Sequence, residues 1–423
     1  MNYIKQITAE MRQQPLIGII TLSGTALAIF LIMVVVMLQE MEVTPIAPES
    51  NRDRFLHARF FHREDINDPN GFGGSSTMSY YAAQRLYCNL ESAEATGCTS
   101  ASPMDAHVNV HGKTPMTVDF RCADSNFWKV FDFTFLHGNP FTDSDTDLRK
   151  AIVTESVART LFGTTDAVGR RFNINYYNPY TVAAVVKDVP TVTSTAYAQV
   201  WIPFSQEEKE RKTYMGGVHA TILARNKADF PAIRNEINRR VEALNSEMKA
   251  DGSRMADHEA PYPQEAIPHL RYSNITPDYQ TPQRQRWIIY AILILIPAIN
   301  LSSMTQSRLR KRVSEIGVRR AFGCTRSRLV GNILTENFII TLAGGIIGFI
   351  AGVLFIWLAF DLLYNDYGLA NTHSGINPMM FVNLDVLLLA IGFCFILNLL
   401  SSAIPAWRAV RISPVEAIGG LHK

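Results

Sequence analysis

The sequence predicts an α-helical membrane protein with four transmembrane helices and a large mixed α+β extracytoplasmic domain. Three observations lead there: four long apolar blocks, basic residues gathered on one side of them, and a polar stretch at 39–286 between the first block and the second. The whole-chain averages hide this pattern. A mean hydropathy of +0.03 and an 18% charged share are those of a soluble protein, because two compositional classes are mixed in one chain.

Residues 16–38 carry no charge, and at about 1.5 Å per residue they match a hydrocarbon core roughly 30 Å thick. The other blocks are 287–304, 338–363 with Asp361 near its end, and 386–404. A cleaved leader is the competing reading of the first block, which follows Lys5 and Arg12. The run exceeds the apolar core of a leader, about 7–15 residues, and no small-residue cleavage site precedes Glu40 and Glu42, so it is read as a span.

Orientation follows from lysine and arginine near the spans. The segment 305–337 holds Arg308, Arg310, Lys311, Arg312, Arg319, Arg320, Arg326 and Arg328, which marks it as cytoplasmic. The tail 405–423, with Arg408, Arg411 and Lys423, and the leading segment 1–15 agree, while the loop 364–385 is expected outside. The chain is therefore expected to be a multi-pass protein of the inner (plasma) membrane with both termini cytoplasmic. Trp287, Tyr290, Trp357, Tyr364 and Trp407 fall where interfacial aromatics belong.

Within 39–286, the residues about 100–190 read as a β-rich insertion. Residues 106–110, 116–120, 150–154, 171–174 and 180–186 are short β-branched or aromatic runs between Gly, Asn, Asp and Pro turns. The flanks read as helical at 79–90 and 230–248, where Phe230, Ile233, Ile237, Val241 and Leu244 recur every three or four residues. Cys88, Cys98 and Cys122 lie in this domain, where oxidation is permitted. A Cys88–Cys98 disulfide is one of three pairings the sequence allows.

Catalytic and metal motifs are missing. No phosphate-cradling G-x-x-x-x-G-K-[ST], no G-x-S-x-G elbow and no H-E-x-x-H occurs. His57, His62, His107 and His111 are too sparse for a metal site and read as surface histidines. Nothing suggests nucleic acid as a partner.

In 305–337, Leu309, Val313, Ile316 and Arg320 or Ala321 keep helical spacing opposite Arg310, Arg312, Glu315 and Arg319. Gly323 is placed to end this amphipathic helix and Thr325 to cap the next. Periodicity alone favours a basic helix resting on anionic lipid. Gly344, Gly348 and Gly352 form a small-residue ridge on the third span, suited first to packing within one subunit. Pro297 is expected to kink the second span, with Asn300 offering a polar contact about a turn later.

Asn300-Leu-Ser302, Glu315-Ile-Gly-Val-Arg-Arg-Ala-Phe-Gly323, Leu334-Thr-Glu-Asn337, Thr341-Leu-Ala-Gly-Gly-Ile-Ile-Gly348 and the run 405–418 resemble the FtsX-like permease domain of MacB-type ABC transporters. Phe127-Trp-Lys-Val-Phe131, Gly138-Asn-Pro-Phe141 and Val186-Lys-Asp-Val-Pro190 resemble that family's periplasmic core domain. The ATPase domain fused in MacB itself does not occur in this sequence, so the likeness is to split permeases.

The resemblance implies a non-enzymatic permease subunit without a cofactor of its own, driven by a separate cytoplasmic ABC ATPase that binds ATP and Mg. It implies a second permease subunit, as homodimer or heterodimer, with membrane lipid and an extracytoplasmic adaptor or envelope protein as further partners. Coupling to the ATPase is carried over to Glu315, Ile316, Gly317, Arg319, Arg320, Ala321 and Gly323. The expected action is mechanotransmission, in which ATP-driven closure moves the external domain to export or extract a substrate. The alternative is a non-transporting scaffold that activates an external hydrolase or sensor kinase.

Overall fold

Helix α1 (Pro15–Val43) is apolar around its whole circumference, as a helix with no water-facing side must be. It opens a computed structural model that describes residues 15–67, 73–142, 149–176, 178–256, 260–270, 278, 280–364 and 384–411. The expected terminal segments up to 14 and beyond 411, and the loop from 365 to 383, lie outside the described residues. Contacts divide the chain into a helical unit (Met1–Met41, Gln280–Phe360 and Asn377–Lys423) and a mixed unit (Glu42–Tyr279 and Asp361–Ile376).

The mixed unit begins with β1 (Phe55–Ala58), β2 (Phe60–Asp65), β3 (Gly74–Thr77) and α2 (Tyr80–Leu86). Ser79 starts α2 by accepting the Ala82 N–H at 3.0 Å, the usual remedy for a helix's unpaired first donors. There follow β4 (Ala95–Ser100), β5 (Met104–Asn109), β6 (Met116–Ala123), α3 (Phe127–Val130), β7 (Phe135–Gly138), β8 (Lys150–Thr154) and α4 (Glu155–Phe162). Then come β9 (Arg171–Ile174), β10 (Asn178–Val186), β11 (Val200–Pro203), α5 (Gln206–Glu210), β12 (Val218–Leu223), α6 (Phe230–Met248), β13 (Ser253–Met255) and β14 (Tyr262–Pro263).

The pairings β6–β11, β11–β8, β8–β10, β10–β9, β9–β5 and β5–β6 close on themselves, which leaves this ring without an open edge. From β6 the sheet continues through β4, β12, β1 and β14, while β13, β2 and β3 form a separate small sheet. The sheet thus draws strands from well outside 100–190. Against it α6 buries Phe230, Ile233, Ile237, Val241, Leu244 and Met248, the stripe its 3.6-residue period dictates. Gly97 of β4 lets the backbone of Phe127 approach, since a Cβ there would lie 2.6 Å from the Phe127 Cα.

The helical unit holds α7 (Gln280–Lys311), α8 (Val313–Ala321), α9 (Arg326–Tyr364) and α10 (Leu384–Ala409). With α1, the long helices α7, α9 and α10 are long and apolar enough to cross a membrane. They expose Leu27, Leu31, Ile292, Leu295, Ile347, Leu358 and Leu388, an apolar surface suited to lipid rather than water. Helix α7 continues through Pro297 without interruption. Asn300 lies one turn on, and its side chain falls outside what is described.

Inside this unit, polar groups join helices where lipid cannot satisfy them. The Asn398 side-chain amide donates to the Leu334 carbonyl at 3.2 Å, and Ser402 donates to the Asn398 Oδ1. The glycine ridge of α9 lies along α1. A Cβ at Gly344 would stand 2.9 Å from the Thr25 Cβ, one at Gly348 would collide with the Ala26 carbonyl, and one at Gly352 would touch Met33.

Candidate functional site

Helix α8 is set off from α7 by Arg312, whose backbone leaves the helical range at φ −101° and ψ 9°. The Arg312 guanidinium holds the corner. It donates to Glu315 at 3.1 Å and to both carboxylate oxygens of Glu336 on α9, at 2.9 and 3.1 Å. Ile316 packs with Leu309, Leu329, Ile333, Ala406, Ala409 and Val410, so α8 rests on the ends of three other helices.

The end of α8 is built by glycine. Gly323 takes φ +85°, its N–H donates to the Arg320 carbonyl at 3.0 Å, and the Cys324 N–H donates to the Arg319 carbonyl at 3.1 Å. This double closure of a helix C-terminus needs a left-handed residue, which glycine supplies without steric cost. The Thr325 Oγ1 then accepts the Arg328 N–H at 3.4 Å and starts α9.

The sequence-assigned coupling residues divide between two faces. Ile316 and Gly317 are buried against the chain itself. Arg320 is half-buried and donates to the Val410 carbonyl at 3.1 Å, where it covers one of the unpaired acceptors at the end of α10. Glu315, Ala321 and Gly323 are exposed, and Arg319 is half-exposed and ion-paired to Glu315. Two further residues share this outer face. Val318 is 43% exposed and Phe322 is 88% exposed. The assignment, carried over from the family resemblance, left them out, although Val318 and Phe322, four positions apart, keep helical spacing.

The mixed unit has its own polar centre, around residues 190–199. Arg52 is 1% exposed. Its guanidinium donates to Glu49 at 2.8 Å, to the Thr44 carbonyl just beyond α1 at 3.0 Å and to the Val192 carbonyl at 2.6 Å. The other oxygen of Glu49 accepts the N–H groups of Thr195 and Ala196, both at 2.9 Å. Arg121 donates to the carbonyls of Tyr197, Ser100 and Ser194 at 2.6–2.7 Å, and Tyr197 donates to Asp119 at 2.8 Å. Burial raises the Asp119 carboxyl above its usual range and lowers Arg121 to about 10.

His57, read as a surface histidine, is 1% exposed. The reason is its strand: β1 has neighbours on both sides, β12 and β14. The His57 Nε2 meets Gln264 at 2.8 Å and its Nδ1 meets Thr221 at 3.4 Å. Burial, helped by Arg59 and Arg52, pushes it down to about 3, so the ring is neutral. His219 of β12 is lowered for the same reasons. Among the described residues, His, Cys, Asp and Glu ligand atoms gather three together only at Cys88, Cys98 and Asp124. The Cys88 and Cys98 sulfurs stand 3.5 Å apart as thiols.

Comparison with known proteins adds two family matches. Residues 19–240 match the MacB-like periplasmic core domain, and residues 287–414 match the FtsX-like permease C-terminal domain. The chain is similar to the macrolide export ATP-binding/permease protein MacB of Bdellovibrio bacteriovorus, 22% identical over 67% of this chain and 41% of that protein. It is also similar to the uncharacterized ABC transporter permease YknZ of Bacillus subtilis, 21% identical over 66% of this chain and 64% of that protein. The match thus spans 41% and 64% of these relatives' own lengths. The solved periplasmic region of MacB from Actinobacillus actinomycetemcomitans aligns with 48% of this chain and 88% of its own, with a TM-score of 0.32 and 15% identity.

Proposed function

This chain belongs to the MacB-like, FtsX-like family of ABC transporter permeases, and from that premise we propose that it is a non-enzymatic permease subunit worked by a separate ATPase through α8. The observation that carries this reading is the outer face of α8. Phe322 and Val318 stand in the open between the Glu315–Arg319 ion pair and the glycine-built turn, while the opposite face is fully used by the chain's own core.

A lipid-resting helix would present apolar residues flanked by free cations. Here Arg312 and Arg319 are spent in ion pairs with Glu336 and Glu315, and Arg320 on a carbonyl. The short apolar stripe fits a cleft in a protein partner, with ATP and Mg held by that partner. Helix α8 is rigidly joined to α7, α9 and α10, so a push on it moves the membrane helices, and α1 leads into the Glu49–Arg52 clamp of the external domain. Orientation follows the basic segments, with α8 cytoplasmic and both termini inside. A dimer of such subunits would export or extract a substrate handled outside the membrane or in its outer leaflet.

The test is recovery of the ATPase with the purified chain. Phe322→Asp should lower recovery about 30-fold, the equivalent of roughly 2 kcal/mol for one aromatic side chain leaving its contact, and membrane insertion should be retained. The double change Arg310→Gln with Lys311→Gln should leave recovery unchanged. Equal losses across both variants would return α8 to the lipid surface. Cys324, just past α8, should resist an impermeant thiol reagent in intact cells.

A further inference from the structure

Cys88 follows α2 and Cys98 lies on β4, ten positions on, yet their sulfurs meet at 3.5 Å. The contact does not depend on a bond to hold it. The Arg240 guanidinium donates to the Cys88 carbonyl at 2.6 Å and the Asn89 carbonyl at 2.8 Å, and Glu236 accepts from the Glu91 and Ser92 N–H groups and the Ser92 hydroxyl. Both ends of the loop between the cysteines are therefore positioned by α6 and β4. Cys122, the other cysteine of this domain, lies outside the cluster.

We propose that Cys88 and Cys98 are joined by a disulfide in the mature protein, fastening the loop between α2 and β4 from inside the core. This uses only the extracytoplasmic placement of the domain, where thiols meet oxidants. One thiolate of the pair attacks a sulfur of a disulfide-bearing oxidant and gives a mixed disulfide. The second thiolate then attacks the first cysteine's sulfur, and the oxidant leaves as a dithiol with the pair's two electrons and two protons. Cys88 is 2% exposed and Cys98 is fully buried, so the exchange precedes closure of the core, which then shields the bond from reduction.

The competing occupant is a metal ion held by both sulfurs and Asp124. Against it, the Asp124 Oδ1 already accepts the Phe127 N–H at 2.8 Å.

The full chain, extracted from membranes in detergent without reductant, is denatured in an alkylating reagent, digested and analysed by mass spectrometry. The Cys88 and Cys98 peptides should appear linked and unalkylated, with Cys122 alkylated. In Cys88→Ser, alkylation of Cys98 should rise more than tenfold. Full alkylation of Cys88 and Cys98 in the unreduced wild-type chain, with or without zinc released on denaturation, overturns the pairing, as does a Cys98–Cys122 link. Glu207, whose side chain is 80% exposed, supplies a control for placement. Labelling of Glu207→Cys by an impermeant reagent on intact cells, together with free Cys88 and Cys98, defeats the pairing alone; failure of that labelling defeats the placement as well.

Discussion

The external domain and the surface of α8 treat polarity in opposite ways. In the domain, Arg52, Arg121, Glu49 and Asp119 are buried, with every guanidinium aimed at a carboxylate or carbonyl. On α8 Glu315 and Arg319 lie outside, paired with one another, and Phe322 at its end is 88% exposed. The first arrangement is met within one chain, with Arg52, Arg121 and Glu49 matched by its own groups and one oxygen of Asp119 left buried without a partner among the described residues. The second is open. An aromatic residue 88% exposed beside the glycine-built turn contributes little to its own fold, and on the proposed reading a protein partner covers it.

Glu49→Ala breaks this comparison most severely if the domain is as self-contained as its contacts indicate. It leaves Arg52 buried with an unmatched charge, strips the Thr195 N–H of its acceptor and leaves the Ala196 N–H only the Thr193 carbonyl at 3.1 Å, at a cost of about 3–5 kcal/mol. Phe322→Ala should change thermal stability by less than about 0.5 kcal/mol. Similar melting shifts for the two variants would erase the distinction.

Packing between helices gives the next effect. Gly348→Leu forces a side chain into the Ala26 carbonyl of α1 and should cost about 1–3 kcal/mol in detergent melting. Gly331→Ala and Gly392→Ala, where nothing lies within 4 Å, should be neutral or mildly stabilising. If Gly348→Leu were also neutral, the ridge would not be packed against α1.

A smaller, graded effect comes from acid. The folded state lowers His57 from 6.5 to about 3, so the unfolded chain takes up the proton first. The stability from the neutral ring is therefore full above pH 6.5 and is lost as pH falls toward 3, at roughly 1 kcal/mol per pH unit for each such histidine. His219 has the same sign, with Arg59 and Arg121 facing it; Asp119, raised by burial, works the opposite way. His57→Gln should flatten the slope of unfolding free energy against pH between 6 and 4, and an unchanged slope would remove His57 from the account. The cations Arg310 and Lys311 on α7 should matter least.

Much of this was legible before any coordinates. The spans stood out because some twenty uninterrupted apolar residues have few other uses, and α6 because Phe230 through Leu244 keep one period. The turn at Gly323 and the cap at Thr325 were readable from residue type. By contrast, β1, β4 and β12 escaped because they are short and largely buried, which suppresses the alternation that marks a half-exposed strand. Arg52, Arg121 and His57 escaped because burial of a polar residue is decided by partners distant in sequence, such as Val192 and Gln264. Val318 and Phe322 escaped for another reason: the coupling residues were carried over from the family resemblance, and which apolar residues of the segment stay uncovered is decided by its packing on α7, α9 and α10.

The most direct test is ATP hydrolysis in reconstituted membranes, by the chain alone, by the chain with its co-purifying ATPase, and by that complex carrying Phe322→Asp. The account predicts no hydrolysis by the chain alone, hydrolysis dependent on the permease in the complex, and loss of that dependence in the variant. Sustained hydrolysis by the chain alone, or a Phe322→Asp complex as active as the wild type, would contradict it.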